Sequence, residues 1–220
     1  GWGPPCPGPG PRLSPARSPD APAEPLLLAS GSATRAAMLR AAGLPFEVLV
    51  PRLDEAALRD ALLAEGHRAR DVADALAEMK ALRASQRRPE ALAIGADQVL
   101  ECDGRLYAKP ATPEEARAQL SALAGRTHVL HSAAVLAKGG APVWRHVAQA
   151  RLTMGRRSDA WLDGYVVRNW DRVRHSVGGY RIEEEGVRLF ERIEGDHFTV
   201  LGLPLLPLLS FLAARGSIPS

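Results

Sequence analysis

From Leu26 onward the chain alternates short apolar runs with stretches where apolar residues recur every three or four positions. LLLAS (residues 26–30) predicts a short buried strand and TRAAMLRAAG (34–43) a helix closed by Gly43, where a left-handed cap costs little. FEVLV (46–50) predicts a second strand. Beyond Pro51, DEAALRDALLAEG (54–66) and RDVADALAEMKALRAS (70–85) carry apolar residues at helical spacing. ALAIGADQVLE (91–101) predicts a buried strand that turns at Asp103-Gly104, a pair suited to a two-residue hairpin, into RLYAK (105–109). PEEARAQLSALAG (113–125) has the proline-first, glycine-last signature of a helix. THVLHSAAVLA (127–137) and VWRHVAQARLTM (143–154) predict two long strands joined through KGGAP. A short helix is expected over SDAWLDGYVVRNW (158–170), and the tail carries VRLFERIEG, FTVLGLP and a last apolar helix, PLLPLLSFLAAR.

Strands interleaved with helices predict an α/β fold, a mixed twisted sheet flanked by helices, with ligands collecting where strands end and helices begin. Residues 1–25 hold 9 of the 18 prolines and show no period that could bury a face, so they are expected to be a disordered leader ahead of one domain over residues 26–216. No apolar run approaches the roughly 20 residues needed to cross a bilayer. The 2 cysteines, Cys6 and Cys102, make neither a disulfide framework nor a zinc motif, which points to a reducing, cytoplasmic setting. Net charge is +3, but the arginines are scattered rather than blocked, so a nucleic-acid partner is not expected; an anionic small substrate in a locally basic cleft is.

Two places can carry chemistry. In LASGSATR, Ser30, Ser32 and the amides of a starting helix would face one point, with Arg35 on the first turn, a set that suits phosphate. A serine before a helix is also, and more often, simply an N-cap. In IGADQV, Asp97 closes an apolar run, as a base or metal ligand would; a solvated loop aspartate is the equal alternative. Lys80 and Lys109 are two of only 3 lysines, either point-charge phosphate contacts or surface residues. P-loop, dinucleotide-binding and serine-hydrolase motifs are absent.

Taken in order, LASGSATR, RLDE, LAEMKA, GADQV, YAKP, LAGRTHVLHSAA, GGYRIE and VLGLPL make the chain resemble the Maf family of nucleoside triphosphate pyrophosphatases. The resemblance covers nearly everything after the leader. It implies a Maf/ITPase-like α/β cleft, cleavage of an NTP to NMP and pyrophosphate aided by Mg2+ or Mn2+, and often a homodimer. The same resemblance makes Ser30, Ser32 and Arg35 the phosphate-positioning turn, Lys80 and Lys109 further phosphate contacts, and Asp97 the proton acceptor. From the Asp54-Glu55 pair, Glu55 is the inward member, near metal or phosphate together with Asp97.

Within that family, glutamine after the aspartate and glutamate in the Tyr-x-Ile-x motif mark members acting on 7-methyl-GTP, while threonine and glutamine mark those acting on dTTP and UTP. Gln98 and Glu183 place this chain with the former. Chemistry agrees, because a carboxylate can accept both N–H groups of a guanine edge, whereas uracil presents a donor flanked by acceptors. One departure stands out: where many members carry Gly-Lys-Ala-Gly, this chain reads from His175 to Gly179 without a lysine, which removes an expected cation. A division regulator that binds nucleotides without hydrolysing them is the rival function; the presence of Asp97, Lys80 and Lys109 speaks against it.

Overall fold

A computed structural model describes residues 24–219. The sequence-expected leader lies outside them except for its last two residues, and these belong to the fold. Pro25 accepts a backbone bond from Leu92. Glu24 is buried against Lys138, Arg215 and the Ser217 hydroxyl. Burial alone would raise its carboxyl, yet hydrogen bonds and charge from Arg215 and Lys138 bring it down to about 2. Apolar patterning assigns these two residues to the leader because it cannot register a carboxylate held by distant cations.

Seven strands form one sheet: β1 (Leu26–Leu28), β2 (Glu47–Val48), β3 (Leu92–Cys102), β4 (Arg105–Tyr107), β5 (Thr127–Lys138), β6 (Ala141–Met154) and β7 (Phe190–Glu194). Their order is β2-β1-β3-β5-β6-β7, with β4 hydrogen-bonded to β3. β1 runs parallel to β2 and β3, while every other pairing is antiparallel, so the sheet is mixed as expected. The β3–β4 hairpin turns at Asp103 and Gly104, both at positive φ (50° and 76°), as a two-residue turn of this hand requires. FEVLV gives only a two-residue, exposed edge strand, Glu47–Val48, while Phe46 and Leu49 on either side of it pack against the core.

Helices cover both faces. On one lies α3 (Ala69–Arg87), which packs Val72, Leu76, Ala77 and Ala81 against Val99, Ala133 and Val135, with α2 (Glu55–Ala64) alongside. On the other, α1 (Ala33–Ala41) and α7 (Leu205–Arg215) bury Ile94, Ala96 and Leu136, and α4 (Pro113–Leu123) and α5 (Asp159–Val173) bury Leu100, Leu130 and Leu152. The expected short helix over 158–170 starts at Asp159, fixed by the Ser158 hydroxyl accepting from the Trp161 amide, and continues to Val173, about a turn beyond its expected end. A short helix, α6 (His197–Leu201), joins β7 to α7.

Sheet pairing leaves one break. β5 takes one edge of β3 from Ala93 to Glu101, so β1 and β4 must share the other. There β1 pairs only up to Ile94 and β4 only from Leu100, leaving residues 95–99 with no strand on that edge among the described residues.

Candidate active site

Gly95 and Asp97 lie in this break, Asp97 in the middle of an 11-residue strand rather than at its mouth, as the sequence suggests. An aspartate can stand there because α3 supplies a partner. A Cβ on Gly95 would lie 2.0 Å from the Ala77 carbonyl oxygen and 2.6 Å from the Ala81 amide, so only glycine lets the helix approach this closely. That approach brings the Lys80 ammonium to 2.9 Å from Asp97 Oδ1, where it also donates to the Ala96 carbonyl at 3.4 Å. Glu55, the first residue of α2, lies 3.1 Å from the same ammonium. Its neighbour Asp54 instead caps α2, accepting from the Ala57 amide, so Glu55 is the member of the pair that reaches Lys80.

These groups line a cleft of about 390 Å3 that also receives Ser32, Arg35, Arg59, Gln98, Lys109, Tyr180, Arg181 and Glu183. Both readings of LASGSATR contain part of the outcome. The Ser32 hydroxyl caps α1 by accepting from the Arg35 amide at 3.3 Å, yet Ser32 also faces the cleft. Ser30 does not line it. Its hydroxyl, buried behind Arg35, accepts from the Ser32 amide and from Arg35 Nη1 at 3.1 Å, while Arg35 Nε donates to the Gly202 carbonyl at 2.7 Å. Ser30 is thus a support for Arg35 rather than a direct phosphate contact. Burial lowers the Arg35 guanidinium's pKa, and the charges of Asp97 and Glu55 oppose that shift. Lys109 is also lowered, first by burial and then by Arg35 and Lys80, which shows the cations crowding toward one space.

Gln98 leaves β3 on the opposite face from Asp97. Its amide nitrogen lies 3.0 Å from the Ser132 hydroxyl, 3.1 Å from the Thr199 carbonyl and 3.0 Å from the Val200 carbonyl. Carbonyls only accept, so chemistry fixes this amide with nitrogen inward and oxygen toward the cleft. Glu183 pairs with Arg181 at 2.9 Å, and Arg181 also meets Glu184 at 3.2 Å. Tyr180, at the cleft wall, shares a 2.8 Å hydrogen bond with the buried His128 Nε2. Sequence reasoning missed Arg59, Arg181, Tyr180 and the structural demand on Gly95. Of these, Arg59 was findable, since it sits four residues after Glu55 and so on the same face of a helix.

Among the described residues no group of three or more His, Cys, Asp or Glu is placed to hold a metal. Two carboxylates, Glu55 and Asp97, converge on Lys80. Nor is any helix among the described residues long and apolar enough to cross a membrane.

Comparison with known proteins places residues 25–215 under a family model described as Maf-like protein. A nucleoside triphosphate pyrophosphatase of Ruegeria pomeroyi is 59% identical over 88% of this chain and 98% of its own length. One from Roseobacter denitrificans is 55% identical over 89% and 98%. A 7-methyl-GTP pyrophosphatase of Mesorhizobium japonicum is 48% identical over 89% and 98%.

Proposed function

The chain belongs to the Maf family of nucleoside triphosphate pyrophosphatases, and from that premise we propose that it hydrolyses 7-methyl-GTP or a closely related modified guanosine triphosphate to NMP and pyrophosphate. The observation that carries the base assignment is the fixed amide of Gln98. With its nitrogen committed to two carbonyls and Ser132, Gln98 offers a nucleobase only an acceptor. Glu183, an acceptor as well, keeps lone pairs beyond those that Arg181 uses. Two acceptors suit the N1–H and N2–H2 edge of guanine and leave the two carbonyls of uracil or thymine without donors. A base made cationic by methylation gains further from the Glu183 charge.

For the reaction, Lys80 holds Asp97 by Oδ1 and leaves Oδ2 directed at no described partner. That oxygen orients a water toward the α,β-anhydride and takes its proton as pyrophosphate leaves with the bonding pair. Arg35, Lys109 and Lys80 stabilise the charge that develops on phosphate oxygens. Glu55 and Asp97 fit a Mg2+ or Mn2+ ion, since a hard cation in such sites takes one or two carboxylates and completes its shell with water and substrate phosphates. When bound, the ion supplies added neutralisation of the triphosphate. Pyrophosphate release from a panel of NTPs by the purified protein tests the assignment. Methylated GTP is expected to show the highest kcat/KM; a preference for dTTP and UTP would overturn the base reading.

A further inference from the structure

The charges lining the cleft do not balance among themselves. Lys80 is matched by Glu55 and Asp97, and Arg181 by Glu183 and Glu184. Arg35 is tied to Ser30 and the Gly202 carbonyl. Two cleft cations remain that make no ion pair or hydrogen bond among the described residues: Lys109, from the β4–α4 connection, and Arg59, from α2. Arg59 follows Glu55 by one helical turn, so both project from the same face of α2, and the half-buried residue has no carboxylate partner among the described residues. Arg59 lines the cleft without a carboxylate of its own, so an anion bound there is the counter-charge open to it. The helix that presents it buries no residue completely and leans on α3 through the half-buried Leu58 and Leu62.

We propose that Arg59 is a further phosphate-binding residue, which takes a bidentate grip on the pyrophosphate portion of the substrate and of the product. The planar fork of arginine matches two phosphate oxygens at once, which a lysine cannot reproduce. The segment from His175 to Gly179 holds no lysine, and Arg59 is a cation that lines the same cleft as His175. The inference rests on the pyrophosphatase reading and adds a residue to it.

Inorganic pyrophosphate binding, measured by calorimetry with Mg2+ present, tests it without turnover. Arg59→Ala should weaken pyrophosphate about 10- to 100-fold, as expected for the loss of a charge-assisted contact, and raise KM for the preferred NTP more than it lowers kcat. Arg59→Lys should recover only part of the loss. Arg192→Ala removes the same charge from β7, outside the cleft, and should change neither value. Since no residue of α2 is buried, an unchanged melting temperature is expected for Arg59→Ala. Equal pyrophosphate affinity in Arg59→Ala and the unaltered protein, or no pyrophosphate binding by the unaltered protein, overturns the inference. An unaltered protein that hydrolyses no NTP, yet loses pyrophosphate affinity on Arg59→Ala, would instead overturn the proposed reaction and leave Arg59 as an anion-binding residue.

Discussion

Asp97 and Gln98 are neighbours in sequence and leave β3 on opposite faces, where they meet opposite kinds of surroundings. On the α3 face, Asp97 is one of two carboxylates around a single ammonium, and one of its oxygens is uncommitted. On the other face, Gln98 has every N–H engaged by Ser132 and two backbone carbonyls. His128 and Ser132 emerge from β5 on that second face, and they too are bonded inward, His128 to Tyr180 and Ser132 to the Thr199 carbonyl at 2.7 Å. The first face has spare bonding capacity and charge, which is what a reacting group needs. The second has the Gln98 and Ser132 donors committed and leaves the Gln98 oxygen fixed in place as an acceptor, which is what a shape-reading group needs, although His128 Nδ1 is buried there with no hydrogen-bond partner among the described residues.

The sharpest way to break this contrast is Asp97→Asn. The amide keeps an acceptor for Lys80 but cannot take a proton, so kcat should fall by about 10²- to 10⁴-fold while affinity for the preferred NTP changes little. Single-turnover rates and equilibrium binding would separate the two. Equal turnover in the variant and the unaltered protein would remove Asp97 from the chemistry and favour a nucleotide-binding regulator.

The committed face has its own signature in pH. Burial pushes His128 down to about 4, whereas an unfolded histidine titrates near 6.5. Between those values the unfolded chain binds the extra proton, so stability rises with pH, and acidification from 7 to 5 should cost about 2 kcal/mol through this group alone. Glu24 acts lower: its stabilisation is present above the ordinary carboxylate range and is lost only as pH falls toward about 2. Denaturant midpoints across pH 5 to 7 therefore report mainly on His128. His128→Gln, which keeps a polar partner for the Tyr180 hydroxyl, should flatten the slope; an unchanged slope would mean that some other group titrates on this face.

Sequence periodicity made the alternation of strands and helices legible, and the Asp103-Gly104 turn as well, because these depend on neighbours along the chain. In the site, the ordered motifs brought together Ser32, Arg35, Glu55, Lys80, Asp97, Gln98, Lys109 and Glu183 around one cleft. What could not be read is spatial. Ser30 looks like a ligand in the sequence and turns out to support a guanidinium. Asp97 looks like the end of a strand, because an apolar run that stops at a charge is indistinguishable from a strand that carries a charge through a gap between two partners. The close approach at Gly95 leaves no mark in the sequence beyond a glycine.

The smallest expected effect is also the most direct probe of the committed face. Ser132 both accepts from Gln98 and donates to the Thr199 carbonyl, so it is tempting to regard it as the anchor of the amide. Yet Gln98 also donates to Thr199 and Val200, and carbonyls alone suffice to fix which end of the amide points inward. Ser132→Ala should then cost about 1 kcal/mol of stability, a shift of roughly 2–4 °C in Tm for a domain of this size. Base preference should be retained, because the Gln98 oxygen still faces the cleft. Loss of discrimination between methylated GTP and UTP in Ser132→Ala, with the fold intact, would show that the hydroxyl and not the two carbonyls holds the amide. Specificity on this face would then hang on a single side chain.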